Sequence, residues 1–597
     1  MLAEFVDISM LTRHAPSRQS AREQGHSLDC LVIGFHDMPE LFELEAQAKP
    51  DSPEYRVLMK NHVFIDGRRL PYMDVLNHFR NSSTLENGRS GCGYYHVGEV
   101  GSLAAMYLAN HLRVRGLTAK FTGLFLPERE RIEAILREEE PRSVAITTTF
   151  YESIAPVEEI IRFVRKHSPK SKIIVGGPLI DNLTLESDAR ALEWPFEEMG
   201  ADIYVRESQG EESLGRVVDS LRYGKHLDRV PNLYLRQAQA FRYTGALREN
   251  NSLDECAINW DLFSNEGIGE VIQTRTARSC AFACSFCDYP SRAGVLTVAS
   301  VATVERELRS LERLGVRHVV FVDDTFNVPL GRFRELCQMM IRNEFGFDWY
   351  SYFRCSQVKD DFTFDLMKES GCKAVFLGIE SGDPHVLQNM NKAATLDQYR
   401  YGIEQLQKRG IITFASFFVG FPGETEQSIQ NTINFINEAS PTFFRSEPWW
   451  YGERAPIGHR ASEFGIVGKG YEWRHATMDI HGACQGMEMM FDAVRTSIWC
   501  PQHSFSFWAL PYLFGKGMTV SQVTTFLHHC QELMRFNNLE NPVLRNASGA
   551  DALSSRLATF CSGLTLKPPK YCIRHDQSRD AIVGSSTVNC SPRLAKV

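Results

Sequence analysis

The sequence predicts an α/β protein: a doubly wound parallel sheet, then a partial (β/α)6 barrel, then a mixed C-terminal cap. Three observations lead there. Short β-branched runs alternate with amphipathic stretches over about 28–225, the alternation restarts at 271 and runs through six units, and after about 455 it loosens into a segment rich in Trp, His, Met and Phe.

In the first stretch, Asp29-Cys-Leu-Val-Ile-Gly-Phe reads as a strand, and 97–115 has helical spacing through Leu103, Met106, Tyr107 and Leu112. Ala119-Lys-Phe-Thr-Gly-Leu-Phe follows as a strand and 128–139 as a charged helix. Next come Ser143-Val-Ala-Ile-Thr-Thr-Thr, a helix over 156–167, Lys172-Ile-Ile-Val-Gly-Gly-Pro, Ala201-Asp-Ile-Tyr-Val and a helix over 211–221. Strand–helix alternation with short loops makes an open parallel sheet, which binds ligands at the carboxyl ends of its strands. Thr147, Thr148 and Thr149, Gly176 and Gly177, and Ser208 and Gly210 lie at three such ends and are candidate cofactor contacts. Threonines favour strands anyway and Gly-Gly-Pro is a common turn, so only their order on one sheet gives them weight.

Residues 226–270 read as a linker, with a small hairpin at Val230-Pro-Asn-Leu-Tyr-Leu-Arg. Six strands are expected at 271–276, 318–324, 348–354, 374–380, 412–420 and 442–449, separated by helices such as 301–314 and 425–439. The expected division is an extension over 1–27, the sheet domain over 28–225, the barrel over 271–455, a cap over 456–574 and a disordered tail over 575–597.

Composition narrows the function classes. A net charge of −8 and pI near 6.2 oppose a general nucleic-acid binder. No run of about eighteen apolar residues offers a membrane span. Fifteen cysteines without a repeat point to a reducing compartment, and a cytoplasmic location is expected.

Directly after the first barrel strand stands Arg278-Ser-Cys-Ala-Phe-Ala-Cys-Ser-Phe-Cys-Asp-Tyr-Pro, placing Cys280, Cys284 and Cys287 at C-x3-C-x2-C spacing. Three thiolates can hold three irons of a [4Fe–4S] cube and leave the fourth open to a small molecule. Zinc needs a second C-x2-C or a histidine pair, which the neighbourhood lacks, and three thiols cannot pair as disulfides. Further loops fall on the same rim. Phe321-Val-Asp-Asp-Thr carries Asp323 and Asp324, Gly378-Ile-Glu-Ser-Gly carries Glu380 and Ser381, and Val419-Gly-Phe-Pro-Gly-Glu-Thr carries Gly420 and Glu424. The paired Asp323 and Asp324 could act as general acid/base groups or hold a ligand's ammonium, and an acid between glycines such as Glu380 can accept ribose hydroxyls on an accessible backbone, though each acid could equally cap the next helix.

The cysteine triplet, with Phe286 before its last member, resembles the motif of the radical S-adenosylmethionine enzymes, whose partial (β/α)6 barrel matches the six units. That resemblance implies a [4Fe–4S] cluster chelating S-adenosylmethionine, with Phe286 near adenine, Glu380 near ribose, the Gly420–Glu424 loop at the adenine edge, and an external electron donor of flavodoxin or ferredoxin type. The upstream sheet is similar to the cobalamin-binding domain of one large subgroup, although the run D-x-H-x-x-G is absent, which implies cobalt without a protein imidazole. The stretches Ala145-Ile-Thr-Thr-Thr, Ala283-Cys-Ser-Phe-Cys-Asp-Tyr-Pro-Ser-Arg-Ala-Gly, Phe321-Val-Asp-Asp-Thr-Phe-Asn-Val-Pro and Ser416-Phe-Phe-Val-Gly-Phe-Pro-Gly-Glu-Thr resemble the PhpK-type P-methyltransferases of phosphinate antibiotic biosynthesis. The resemblance implies methyl transfer from S-adenosylmethionine via methylcobalamin to the P–H phosphorus of a small-molecule or carrier-bound intermediate. The alternatives are C-methylation of a peptide or antibiotic precursor, a cobalamin-dependent rearrangement, and a non-enzymatic sensor. Arg275, Arg278, Arg354 and Arg445 are possible anion contacts, each as able to pair with an acid of the fold.

Overall fold

The computed structural model describes residues 27–36, 48–86, 92–186, 191–237, 240–502, 505, 507–537 and 547–573. The extension expected over 1–27, Ser27 apart, and the tail expected over 575–597 lie outside the described residues. The chain divides into two compact units: residues 1–35 with 108–249, and residues 36–107 with 250–597.

The first unit is built on a seven-stranded sheet of β1 (Cys30–Phe35), β2 (Ala119–Leu124), β3 (Ser143–Thr147), β4 (Lys172–Gly176), β5 (Ile203–Val205), β6 (Leu233–Gln237) and β7 (Ala240–Tyr243), in the order β7-β6-β5-β4-β3-β1-β2. Strands β1 to β5 are parallel, and β6 and β7 add an antiparallel edge. Strand order reverses at β1, so the crevice between the carboxyl ends of β1 and β3 is the topological switch point. The helix Ala155–His167 shows why the elements assemble. Val157, Ile160, Ile161 and Val164 form one face, and all four are buried in the core with Ile146 and Val175 of the sheet.

The second unit holds β8 (Val271–Thr274), β9 (His318–Phe321), β10 (Asp348–Tyr352), β11 (Cys372–Glu380), β12 (Ile412–Val419), β13 (Phe443–Pro448) and β14 (Ile498–Trp499), paired in that order and all parallel. This is the predicted six-unit array with a seventh strand of two residues, too short to show a periodicity. Phe321 and Trp349 pack against Phe326 and Phe333 on the helical side. The strand pleat therefore sends Tyr352 to the opposite, concave face, and register places Phe376, Phe414, Ser416, Phe443 and Arg445 with it. Phe507 from the C-terminal segment packs on Tyr352, Phe376 and Phe414.

Three boundaries differ from expectation. The described residues of 48–94 group with the second unit and not with the first sheet: the strand Cys92–Tyr94 pairs with Tyr571–Ile573, and Arg56 of the helix Pro53–Asn61 makes a bidentate contact to Glu488, at 2.9 and 2.6 Å. Residues 226–249 are not linker either, because β6 and β7 extend the first sheet. The helix expected over 97–115 is interrupted, with a 3-10 turn Val97–Val100 ending at Gly101 (φ 85°) before the helix Leu103–Val114.

Candidate active site

The cysteine loop is shaped by its neighbours. Ala277–Arg278 pairs antiparallel with Thr297–Val298, and Ser279 takes a left-handed conformation (φ 73°) just before Cys280. Farther along, the Ser285 amide donates to the Met390 carbonyl at 2.8 Å, the Asn391 side chain to Ala283 O at 2.7 Å, and the Ile457 amide to Ser285 O at 2.8 Å. Cys284 is buried, and Cys280 and Cys287 are half-buried. Burial raises the Cys287 thiol pKa, and Cys284 and Cys280 lie close enough to raise it further. The Cys280 Sγ also lies 3.5 Å from Thr325 Oγ1. Among the described residues no three His, Cys, Asp or Glu side chains converge on one metal ion, as zinc requires, whereas a cube takes each thiolate at a separate iron. The buried Arg354 guanidinium, its Nη1 3.9 Å from Cys284 Sγ, is the positive neighbour that an anionic cluster needs. The donor set and this cation fit the cluster.

Beside the loop lies a set of groups suited to a zwitterionic nucleoside. Phe286 packs edge-on to Phe418, with ring centroids 5.0 Å apart, and Lys392 holds its ammonium 5.3 Å from the Phe286 ring centroid. Lys392 also pairs with Glu380 at 2.8 Å. Glu380 sits at φ 70°, where the β11–β12 register shifts, and a Cβ on Gly378 would stand 2.5 Å from its Oε1. The missing Cβ leaves the space into which the Glu380 carboxylate folds back toward Lys392. Lys392 and Phe282 were not among the sequence-predicted residues. Phe282 stands inside the cysteine motif, where the spacing draws the eye to the thiols alone, whereas Lys392 lies in no motif and only packing brings it to Phe286 and Glu380.

Several predicted contacts are instead structural. Asp323 is buried and accepts from Thr276 N at 2.6 Å, Ala277 N at 2.9 Å and Thr276 Oγ1 at 2.5 Å, so its carboxylate holds the start of the cysteine loop. Asp324 stays exposed by area, yet desolvation by the surrounding protein and then the charge of Asp323 push its pKa up to about 7. Ser381 is buried, accepting from the Asp383 amide at 3.1 Å and lying 3.4 Å from Thr432 Oγ1. Glu424 is buried and accepts from Gly420 N at 2.5 Å, and desolvation pushes its pKa up to about 8. It closes its own loop, while the next helix is capped by Thr425 and Ser428. Gly420 (φ 98°) is small because Trp473 packs on it: a Cβ there would lie 2.4 Å from the indole, and His475 Nε2 lies 2.9 Å from its carbonyl.

On the concave face of the second unit, Arg445 donates from Nε to Ser416 Oγ at 3.2 Å and stacks 5.1 Å from the Phe376 centroid. Among the described residues no carboxylate lies within ion-pair distance of it. Its charge and that of Asp324 both act on the Tyr352 hydroxyl, whose pKa burial holds well up.

In the first unit the sequence-predicted strand ends divide in the same way. Thr147 and Thr149 hydroxyls lie 3.2 Å apart, and Thr148 Oγ1 donates to Gly176 O at 3.0 Å while accepting from Leu179 N at 3.2 Å. Gly176 is packed under Val205, and Gly177 (φ 107°) leaves room for Thr148, which a Cβ would meet at 2.9 Å. Ser208 is exposed and donates to Glu207 at 3.2 Å. Gly210 opens the helix Glu211–Tyr223 in a left-handed conformation, but Glu249 takes that helix's first amides, from Glu212 at 3.0 Å and Ser213 at 2.7 Å. Among the described residues at the switch point Phe150 is exposed, 65% accessible at φ 68°, with its ring centroid 5.6 Å from that of Phe35. Tyr151 behind it donates to Gly34 O at 2.9 Å. Backbone strain held at a ligand crevice with an open aromatic face fits a flat macrocycle such as a corrin.

A parallel-sheet unit with its switch point between β1 and β3, and a partial barrel with a three-cysteine rim loop, define a two-domain α/β protein. Known proteins agree: residues 274–436 match the radical SAM superfamily and residues 96–192 the B12 binding domain. The chain therefore carries a B12-binding domain followed by a radical SAM domain, and its cofactors are a [4Fe–4S] cluster, S-adenosylmethionine and cobalamin. An uncharacterized methyltransferase of Pyrococcus horikoshii is 26% identical over 317 residues, 51% of this chain and 66% of that one. The anaerobic magnesium-protoporphyrin IX monomethyl ester cyclase of Cereibacter sphaeroides is 26% identical over 325 residues, 52% of each chain. The chain thus spans about half to two thirds of the length of these relatives. In fold it is similar to the radical S-adenosylmethionine methyltransferase TsrM from Kitasatospora setae with cobalamin and a [4Fe–4S] cluster bound, at TM-score 0.54 and 15% identity over 75% of this chain and 97% of that one.

Proposed function

We propose that the protein is a cobalamin-dependent radical S-adenosylmethionine methyltransferase, and that its acceptor is the P–H phosphorus of an anionic phosphinate intermediate of the kind the PhpK-type enzymes methylate. The succession of a B12-binding and a radical SAM domain in one chain carries the first part. Methyltransferase names among the relatives support it. When bound, the cluster with S-adenosylmethionine supplies a hydrogen-abstracting radical, and cobalamin supplies a transferable methyl group.

The chain's own residues bind and orient. Cys280, Cys284 and Cys287 hold the cluster. Phe286 offers a ring face or edge to adenine, while Glu380 and Lys392 offer opposite charges to the ribose and the amino-acid end. Arg445, with Nε on Ser416 and its plane on Phe376, keeps its terminal N–H groups for an anion. That uncompensated charge favours a phosphinate over a neutral acceptor. Phe150 and the β1/β3 crevice offer the corrin an aromatic face. Reduction would come from a flavodoxin- or ferredoxin-type donor.

The test is turnover of anaerobically reconstituted protein with methyl-labelled S-adenosylmethionine and a P–H phosphinate, followed by phosphorus NMR. Loss of the one-bond P–H coupling with label on the product is the expected result. Retained coupling despite deoxyadenosine formation excludes that acceptor. Unlabelled product under full turnover favours the rearrangement chemistry that the cyclase relative's name brings to mind.

A further inference from the structure

Arg354 follows β10 and turns back onto the cysteine loop. It is only 9% exposed. Its main chain is clamped by the buried Asn327, which donates to Arg354 O at 3.1 Å and accepts from Arg354 N at 3.0 Å. Its guanidinium carbon lies 3.6 Å from the Phe282 ring centroid, so the plane of the fork is fixed by an aromatic face from the same cysteine loop. Nη1 reaches Cys284 Sγ at 3.9 Å. Nε and Nη2 are buried, and among the described residues they have no hydrogen-bond partner and no carboxylate pairs with the charge. A buried, uncompensated cation is costly, and natural proteins keep one where an anion arrives to meet it.

We propose that Arg354 is a positioning residue for the iron–sulfur cluster, an N–H···S donor and counter-charge that raises the cluster's reduction potential. The inference rests on the cluster reading of the three cysteines. Reducing a [4Fe–4S] cluster adds one electron and one negative charge, so a fixed cation beside a ligand sulfur stabilises the reduced form more than the oxidised one. The electron comes from the external donor, and no proton or bond change is required of Arg354. Aromatic contact and backbone clamp hold the charge in place whether or not S-adenosylmethionine is bound.

The experiment is a redox titration of reconstituted full-length protein without S-adenosylmethionine, followed by the EPR signal of the reduced cluster. It uses wild type, Arg354→Met and Arg354→Lys, with melting curves to establish that each folds. Arg354→Met is expected to shift the reduction equilibrium at least tenfold toward the oxidised cluster, a midpoint lower by about 59 mV. Arg354→Lys, which keeps the charge and loses the planar fork, is expected between the two. Should the Met variant fail to fold, the Lys variant decides, through a lowered midpoint or an altered EPR signal. Equal midpoints and identical spectra in the folded variants overturn the proposal and leave the cluster reading intact. So does an unchanged midpoint with lost S-adenosylmethionine affinity, which makes Arg354 a ligand contact. Wild type that assembles no [4Fe–4S] cluster overturns both.

Discussion

Glu424 shows how one residue can look like a ligand contact and act as part of the fold. In sequence it is an acid beside glycines, and in the structure its buried carboxyl serves the Gly420 amide of its own loop. Desolvation raises its pKa from the ordinary carboxylate range to about 8. The folded protein therefore binds a proton that the unfolded chain has released above about pH 4.5, and stability falls as pH rises through 8. Glu424→Gln removes this dependence. The melting temperature of wild type relative to Glu424→Gln is expected to fall between pH 6 and 8.5, and a relative rise over that range would count against the assignment. Asp323 shares the ambiguity: a rim acid in sequence, it is filled by three donors from Thr276 and Ala277. Local sequence shows that an acid stands at a strand end but not whether backbone amides have already satisfied it.

At the scale of elements, period and punctuation carried well. The helices Val301–Arg313 and Glu426–Ala439 begin and end within a residue of expectation, because their apolar spacing and caps are local properties. The glycine loops after β12 carried less, since a glycine wanted by a ligand and one wanted by packing read alike. Gly420 is of the second kind. Trp473, whose Nε1 donates to Trp449 O at 2.6 Å, lies across it. Gly420→Ala forces a left-handed Cβ against the indole and is expected to cost about 1–3 kcal/mol or more. The measurement is a lowered melting temperature together with a changed near-UV dichroism of the displaced tryptophan. Unchanged spectra would show that the loop yields elsewhere.

At the scale of the whole molecule, each compact unit is assembled from two separate stretches of chain. The early excursion 53–94 supplies parts of the second unit: the Trp499 indole donates to Lys60 O at 3.0 Å, Asn61 Oδ1 accepts from Gln502 N at 2.7 Å, and Tyr72 lies in its core. Residues 250–597 expressed alone leave these partners unsatisfied and are expected to lack the cooperative melting of the full chain, as dichroism will show. A fragment melting at the full-length temperature would contradict this. By itself the sequence determined the two β/α series and the three-cysteine loop on the first barrel strand, because periodicity and ligand spacing are written within a few tens of residues, while the cofactors followed from the likeness of those stretches to known families. Only the tertiary structure decided which unit 36–107 joins, which rim acids are already satisfied, and that Lys392 meets Glu380 while Arg354 lies buried against Cys284. Those outcomes depend on contacts between residues far apart in the chain, where burial and hydrogen-bond satisfaction, not local propensity, set the role of each side chain.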